Sequence, residues 1–139
     1  MLIRGFKESD RPFLRDLFLE SRRKTFYWLD IDLFALQDFD DQTKDENIWV
    51  AETETVIIGF ISVWTPDNFV HHLFVHPDYI RKGIGKSLLN FCVSSIPKPL
   101  TLKCLENNVN ALVFYVSQGW KIKAKGSDSF ENYFLLEFE

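Results

Sequence analysis

The chain has 139 residues, of which 46% are hydrophobic and 16% aromatic, so it can form one domain (residues 1–139) with a substantial core. Its net charge of -4 argues against a general nucleic-acid-binding protein. No apolar stretch approaches the ~18 residues of a membrane span, and the amino terminus lacks a signal-peptide pattern. We therefore expect a soluble cytoplasmic protein with no nucleic-acid or membrane partner. The two cysteines, Cys92 and Cys104, fall in apolar patterns and are predicted to be reduced and buried.

The first half of the chain predicts four strands and one main helix. A short strand at residues 2–6 precedes a helix with proline in its first turn. The buried face of this helix is predicted to contain Phe13, Leu14, Leu17 and Phe18. An aromatic and acidic segment follows, with a short helix near residues 32–37. Three strands come next, at residues 48–53, 56–64 and 69–77, the first two forming a hairpin.

The second half alternates helices and strands. A helix begins near Gly83 and ends before Pro97, because apolar residues recur there at spacings of three and four. A strand at 100–104, a helix at 108–118 and strands at 120–124 and 132–138 complete the chain. The order β-α-β-β-β-α-β-α-β-β predicts an α/β fold with a mixed, partly antiparallel sheet of about seven strands flanked by helices.

The glycine-containing stretch "HPDYIRKGIGKSLLNF", residues 76–91, predicts an anion site. A P-loop would need glycine at Ile80, and a dinucleotide fingerprint would need glycine at Leu88, so neither motif fits. What remains is a glycine turn that leads into a helix amino terminus, where free backbone amides favour negative charge. The stretch between Asp78 and Glu106 contains five basic residues and no acidic one, which suits a phosphate.

The stretch "ENNVNALVFYVSQGW", residues 106–120, sorts into two helical stripes. The predicted core stripe is Val109, Leu112, Val113 and Val116. Asn108, Ala111 and Tyr115 form a second row that presents an amide, a small residue and a phenol. The phenol is either a proton donor or an amphipathic group at the edge of the core.

The two stretches together resemble the GCN5-related N-acetyltransferases (GNAT), in both motifs, their spacing and the surrounding strand order. The first resembles the family's Arg/Gln-x-x-Gly-x-Gly/Ala loop, and the second its Asn-x-x-Ala-x-x-Phe-Tyr-x-x-x-Gly-aromatic helix. One position departs from the pattern, since Ile80 stands where the family has Arg or Gln. Pyrophosphate binding there depends mainly on backbone amides, which Ile80 still provides.

The resemblance implies that strands four and five splay apart and that acetyl-CoA, the acyl donor, binds between them. The loop would hold its pyrophosphate, the fourth strand would pair with its pantetheine arm, and Asn108 would hydrogen-bond that arm. The implied cofactor-binding residues are Leu73, Phe74, Val75, Ile80, Arg81, Lys82, Gly83, Ile84, Gly85, Lys86 and Asn108. No metal site is predicted.

The resemblance also implies direct transfer of an acetyl group to an amine, with a base for the amine and an acid for the departing thiolate. We expect His71 to be the base, Tyr115 the acid, and a strand amide near Leu73 the group that stabilises the oxyanion. In the alternative, His71 or His72 packs or faces solvent and water accepts the proton. Strand alternation puts His72 on the opposite face, and His76 is predicted to be a turn residue.

The acceptor is predicted to be a primary amine on a small, cationic molecule. Trp28, Asp30 and Trp64 are the predicted substrate-binding residues, because an acidic, aromatic mouth attracts a cation. Acid-rich loops are also commonly solvated surface, which is the alternative reading. Two other functions stay open, an N-acetyltransferase acting on proteins or peptides and a non-catalytic acyl-CoA sensor. The chain is predicted to be a monomer or a homodimer.

Overall fold

The computed structural model describes residues 1–128 and 131–139. Its strands form a single seven-stranded sheet in the order β1-β2-β3-β4-β5-β7-β6. All neighbouring strands are antiparallel except β4 and β5, which are parallel. The strands are β1 Leu2–Gly5, β2 Asn47–Thr53, β3 Val56–Trp64, β4 Phe69–Val75, β5 Leu100–Leu105, β6 Lys121–Ser127 and β7 Asn132–Phe138. This architecture confirms the predicted mixed, partly antiparallel sheet.

The helices of the two halves of the chain pack on two separate cores. Consecutive residues of β3 show the division, because Phe60 belongs to one core and Ile61 to the other. The first half packs around Phe18 and Phe39, whereas the second packs around residues such as Leu88. The helices are α1 Arg11–Thr25, α2 Asp38–Gln42, α3 Ile84–Ser95 and α4 Val109–Ser117.

The β2–β3 hairpin forms where the sequence predicted it. Glu54 and Thr55 have φ angles of 48° and 67°, so both central residues of the turn are left-handed. Such a two-residue turn matches the right-handed twist of the paired strands. Both cysteines are free thiols in the core, as predicted.

Two details of the first helices differ from the prediction. Phe13 is 64% exposed, and the buried face of α1 instead continues along the helix to Arg22. The short helix expected near residues 32–37 lies later, at Asp38–Gln42, after a 3-10 turn at Ile31–Leu33.

Of the expected core stripe of α4, Leu112 packs against the core, whereas Val109, Val113 and Val116 are exposed. The face that contains Ala111 and Tyr115 packs against the core instead of the valines. Both faces are apolar, so hydrophobic periodicity did not distinguish them, and the packing of the helix on the sheet decided between them.

The parallel strands β4 and β5 separate soon after they meet. Cα pairing joins Phe69 with Thr101 and Val70 with Leu102, and no later pair is present in the described part of these strands. The rest of β4 therefore opens toward a gap in the sheet, which confirms the predicted splay. Across the described residues, no helix is both long and apolar enough to cross a bilayer.

Candidate active site

A cavity of about 1110 Å³ occupies the gap between β4 and β5 and continues to both sides of it. Its lining includes the glycine loop and the start of α3, and also α1 and the segment that follows α1. His71 and Tyr115 line it as well, from β4 and α4 respectively. The sequence-predicted donor loop and catalytic residues therefore line one continuous cavity.

The loop before α3 presents backbone amides at the cavity. Gly83 precedes the helix with a φ of 78°, a conformation that glycine adopts without strain, and no side chain caps the helix. The first intrahelical bond of this turn runs from the Ser87 amide to the Gly83 carbonyl, at 3.0 Å. The amides of residues 84–86 therefore have no partner within the helix, and they sit where its dipole favours an anion.

Ten of the eleven predicted donor-binding residues line this cavity, including Ile80 and Asn108. The exception is Lys82, whose ammonium nitrogen lies 5.5 Å from the centroid of the Tyr79 ring. Arg81 and Lys86 contribute positive charge to the lining. The loop thus has the amides and charges that a pyrophosphate requires.

A β-bulge in β4 brings two histidines onto the same side. Ser62 pairs with His72 and the next residue of β3 pairs with Val70, so His71 is an extra residue opposite that step. The bulge breaks the alternation of side chains. The rings of His71 and His72 stack with centroids 3.8 Å apart, and both line the cavity. The prediction that His72 faces the opposite side is therefore wrong.

Glu46, a residue not singled out from the sequence, contacts this histidine pair. Its Oε2 lies 2.6 Å from Nδ1 of His71, and its Oε1 accepts a hydrogen bond from the Ser62 hydroxyl. The Glu46 side chain is 7% exposed. Glu46 ends an acidic loop just before β2, and no local pattern separates it from its solvated neighbours.

The same three residues have the donor types of a metal site. Glu46, His71 and His72 each offer one ligand atom within 4.8 Å of the others. Both oxygens of Glu46, however, already take part in hydrogen bonds with Ser62 and His71. The described geometry is that of a hydrogen-bonded network.

His72 is buried and held neutral. Burial, with smaller electrostatic contributions from His71 and Arg22, lowers the pKa of His72 well below 6.5. Its Nε2 has no hydrogen-bond partner among residues 1–128 and 131–139. An uncharged imidazole at this depth avoids the larger cost of burying a cation.

Tyr115 reaches the cavity from α4. Its ring packs between those of Phe114 and Trp120, with centroids 5.4 and 6.1 Å away. Burial, and secondarily the neighbouring Cys104, raises the pKa of the Tyr115 phenol. The phenol therefore keeps its proton throughout the neutral range, as a proton donor must.

The segment after α1 contributes aromatic residues to the lining, namely Phe26, Tyr27 and Phe34. Arg22 lines the cavity beside them, where it bonds Asp38 at 3.0 Å and stacks 3.8 Å above the Phe18 ring. This ion pair ties α1 to α2 beside the cavity.

The three predicted substrate-binding residues do not line the cavity. Asp30 is exposed and caps the following 3-10 turn, accepting from the Asp32 amide at 2.9 Å. Trp64 lies at the exposed end of β3. Trp28 donates to Glu131 at 2.5 Å and thereby joins the segment after α1 to the start of β7.

Three acidic residues of the stretch 30–46 are committed to contacts within the chain. Asp38 bonds Arg22, Asp40 bonds Arg11 and Arg15, and Glu46 contacts a histidine. The expected acidic attraction for a cationic acceptor therefore has less support in this geometry than the aromatic one.

The splayed mixed sheet, the free amides at the start of α3 and the buried phenol of Tyr115 lie around one cavity. A family model described as "Acetyltransferase (GNAT) domain" matches residues 44–122. The peptidyl-lysine N-acetyltransferase YiaC of Escherichia coli is 32% identical over 128 residues, covering 87% of this chain and 84% of the relative. The chain belongs to the GNAT family and is an acetyltransferase, as its sequence motifs predicted. The acyl donor of this family is acetyl-CoA.

Solved structures support the same fold. An N-acetyltransferase from Staphylococcus aureus Mu50 superposes with a TM-score of 0.83 at 17% identity, over 99% of this chain and all of that chain. The PaiA N-acetyltransferase from Thermoplasma acidophilum, in complex with coenzyme A, superposes with a TM-score of 0.79 at 21% identity, over 98% and 96%.

Proposed function

We propose that this chain is a single-domain N-acetyltransferase that transfers acetyl from acetyl-CoA directly to a primary amine. One observation carries the proposal: the amide-rich loop before α3, His71 on β4 and Tyr115 on α4 all line one cavity. A donor and an acceptor that both enter this cavity would meet beside these two side chains.

The residues at the loop end fit the donor. The amides of residues 84–86 and the charges of Arg81 and Lys86 suit the pyrophosphate. Beyond Val70 the edge of β4 has no strand partner on the β5 side in the described residues, so its backbone is free to pair with the amides of the pantetheine arm. Asn108, which follows β5, lines the same cavity and suits a hydrogen bond to that arm.

When bound, acetyl-CoA supplies an activated acyl group on sulfur. The N–C bond forms as the C–S bond breaks, so one proton must leave the amine and one must reach the sulfur. In our proposal His71 accepts the amine's proton and Tyr115 donates its phenolic proton to the sulfur. A backbone amide near Leu73 stabilises the negative charge that develops on the carbonyl oxygen.

We propose the side-chain amine of a lysine in a peptide or protein as the first acceptor class. The similarity to a peptidyl-lysine N-acetyltransferase supports it, and so does the size of a cavity that an extended lysine side chain can enter. A small cationic amine is the second candidate, favoured by the aromatic rings of Phe26 and Tyr27 in the lining.

The test is release of free CoA thiol from acetyl-CoA across lysine-containing peptides, amino-terminal peptides, polyamines and amino acids. Turnover with lysine peptides supports the first acceptor class, and turnover with polyamines alone supports the second. Acetyl-CoA at about 100 times its Kd should also raise the free energy of unfolding by about 2.7 kcal/mol. Stabilisation without turnover on any acceptor would instead favour an acyl-CoA sensor.

A further inference from the structure

The side chain of Glu46 is largely shielded from solvent, and both of its carboxylate oxygens take part in hydrogen bonds. It lies outside the cavity lining, and its two oxygens are used by the Ser62 hydroxyl and by Nδ1 of His71. A side chain only 7% exposed loses most of its hydration, so its hydrogen bonds must replace that hydration. The partner on the cavity side is the histidine that the proposed reaction uses as a base.

We propose that Glu46 is a positioning residue that holds His71 in the tautomer protonated at Nδ1, leaving the Nε2 lone pair for the acceptor amine. The catalytic part of this inference rests on the proposed function, in which His71 is the base. The tautomer of His71 is a property of the folded protein and does not depend on that function. Ser62, on the neighbouring strand β3, orients the carboxylate from its other oxygen.

The hydrogen-bonding inventory of the groups determines the direction of the bond. A carboxylate can only accept, so an imidazole nitrogen 2.6 Å away must carry the hydrogen. The other nitrogen of a neutral ring is then an acceptor. A carboxylate that fixes a catalytic imidazole in this way also stabilises the imidazolium formed when the ring takes up a proton.

Glu46 itself does not reach the reacting atoms. It is absent from the cavity lining, and both of its oxygens are engaged. The other ionisable group against His71 is the stacked His72, and Arg22 acts on His72 from α1. Among these neighbours Glu46 is the one that accepts a hydrogen bond from the His71 ring.

The first experiment reads the tautomer without any turnover. The protein has three histidines, so single substitutions assign the imidazole signals in long-range proton–nitrogen correlation spectra. At mildly alkaline pH, His71 should show a protonated Nδ1 and an unprotonated Nε2. In Glu46→Gln the amide can donate to Nδ1, so Nε2–H should appear. Glu20→Gln, an exposed carboxylate on α1, is the matched control and should leave the spectrum unchanged.

The second experiment measures coupling between the two residues in steady-state kinetics. Because general base catalysis contributes roughly 10²- to 10⁴-fold, Glu46→Gln should lower kcat by up to the factor lost in His71→Ala, with the KM for acetyl-CoA unchanged. The double variant should be no slower than His71→Ala alone, because Glu46 acts through His71.

Two results would overturn the assignment: an Nε2–H tautomer in the wild-type protein, or losses in kcat that multiply in the double variant. Failure of the proposed function looks different. A wild-type protein that shows the Nδ1–H tautomer but turns over no acceptor would leave the positioning of His71 supported and refute its use as a base.

Discussion

Acidification should destabilise this protein through His72 before its carboxylates protonate. The native state keeps His72 uncharged, because burial and nearby positive charge lower its pKa well below the value of 6.5 expected in the unfolded chain. Protons therefore bind the unfolded chain preferentially, and stability falls as the pH falls below 6.5. Above that pH the contribution is constant.

The size of this effect follows from the linkage of protonation to unfolding. One pH unit below 6.5, protonation of the unfolded chain at this site favours unfolding by RT ln 11, about 1.4 kcal/mol relative to alkaline pH. That loss is a sizeable part of the roughly 5–15 kcal/mol by which domains are stable.

Urea unfolding at several pH values, monitored by tryptophan fluorescence, measures this slope. His72→Phe removes the titrating group and keeps a ring beside Phe18 and Phe74, whose centroids lie 4.9 and 6.2 Å from that of His72. Between alkaline pH and one pH unit below 6.5, the free energy of unfolding of this variant should fall by about 1.4 kcal/mol less than that of the wild type. His76→Gln, at the cap of the turn after β4, is the control and should behave as wild type. Equal slopes in wild type and His72→Phe would refute the reasoning.

Three further outcomes are expected. Tyr115→Phe should lower kcat by at least about 10²-fold with little change in the KM for acetyl-CoA, and equal rates of the two proteins in thiol-release assays would mean that water protonates the sulfur. Wild-type kcat should not decline up to pH 10, because burial raises the pKa of the Tyr115 phenol above that value. His71→Ala should slow the reaction more at acidic and neutral pH than at high pH, where the amine is already neutral, and parallel pH-rate profiles would remove its role as base. Gly59→Ala should lower the free energy of unfolding, measured in urea, by about 1–3 kcal/mol, because a Cβ there would lie 3.1 Å from the Phe74 carbonyl oxygen and 3.2 Å from a Leu88 methyl group. An unchanged urea midpoint would show that α3 can shift to make room.

Local patterns in the sequence were sufficient to predict the β2–β3 hairpin and the glycine loop before α3. The hairpin followed from two β-branched runs around Glu54 and Thr55, and the loop from Gly83 before an apolar stripe. Turn chemistry and helix starts depend on neighbours within a few residues, so a linear sequence records them. The two GNAT motifs could be recognised for the same reason, because each lies within one short stretch of sequence. The match of the family model to residues 44–122 confirmed the family.

The choice between two apolar faces was beyond local patterns. In α4 the valine stripe and the Ala111–Tyr115 face are both hydrophobic, and only docking on the sheet turned the latter inward. Likewise, Asp30 and Asp38 belong to one acidic run, yet Asp30 caps a turn while Asp38 pairs with Arg22 at the cavity. Composition indicated the charge of this segment but not which charges would be paired.

The sequence by itself determined the family, the order of the helices and strands along the chain, and the two motifs that line the cavity. Tertiary structure alone decided the environment of His71, because a β-bulge brought it beside His72 and chain folding brought Glu46 to it from 25 residues away. A register shift of one residue reverses the direction of a side chain, and a hydrogen bond between residues distant in sequence depends on how the chain brings them together. Neither is encoded in the residues adjacent to His71.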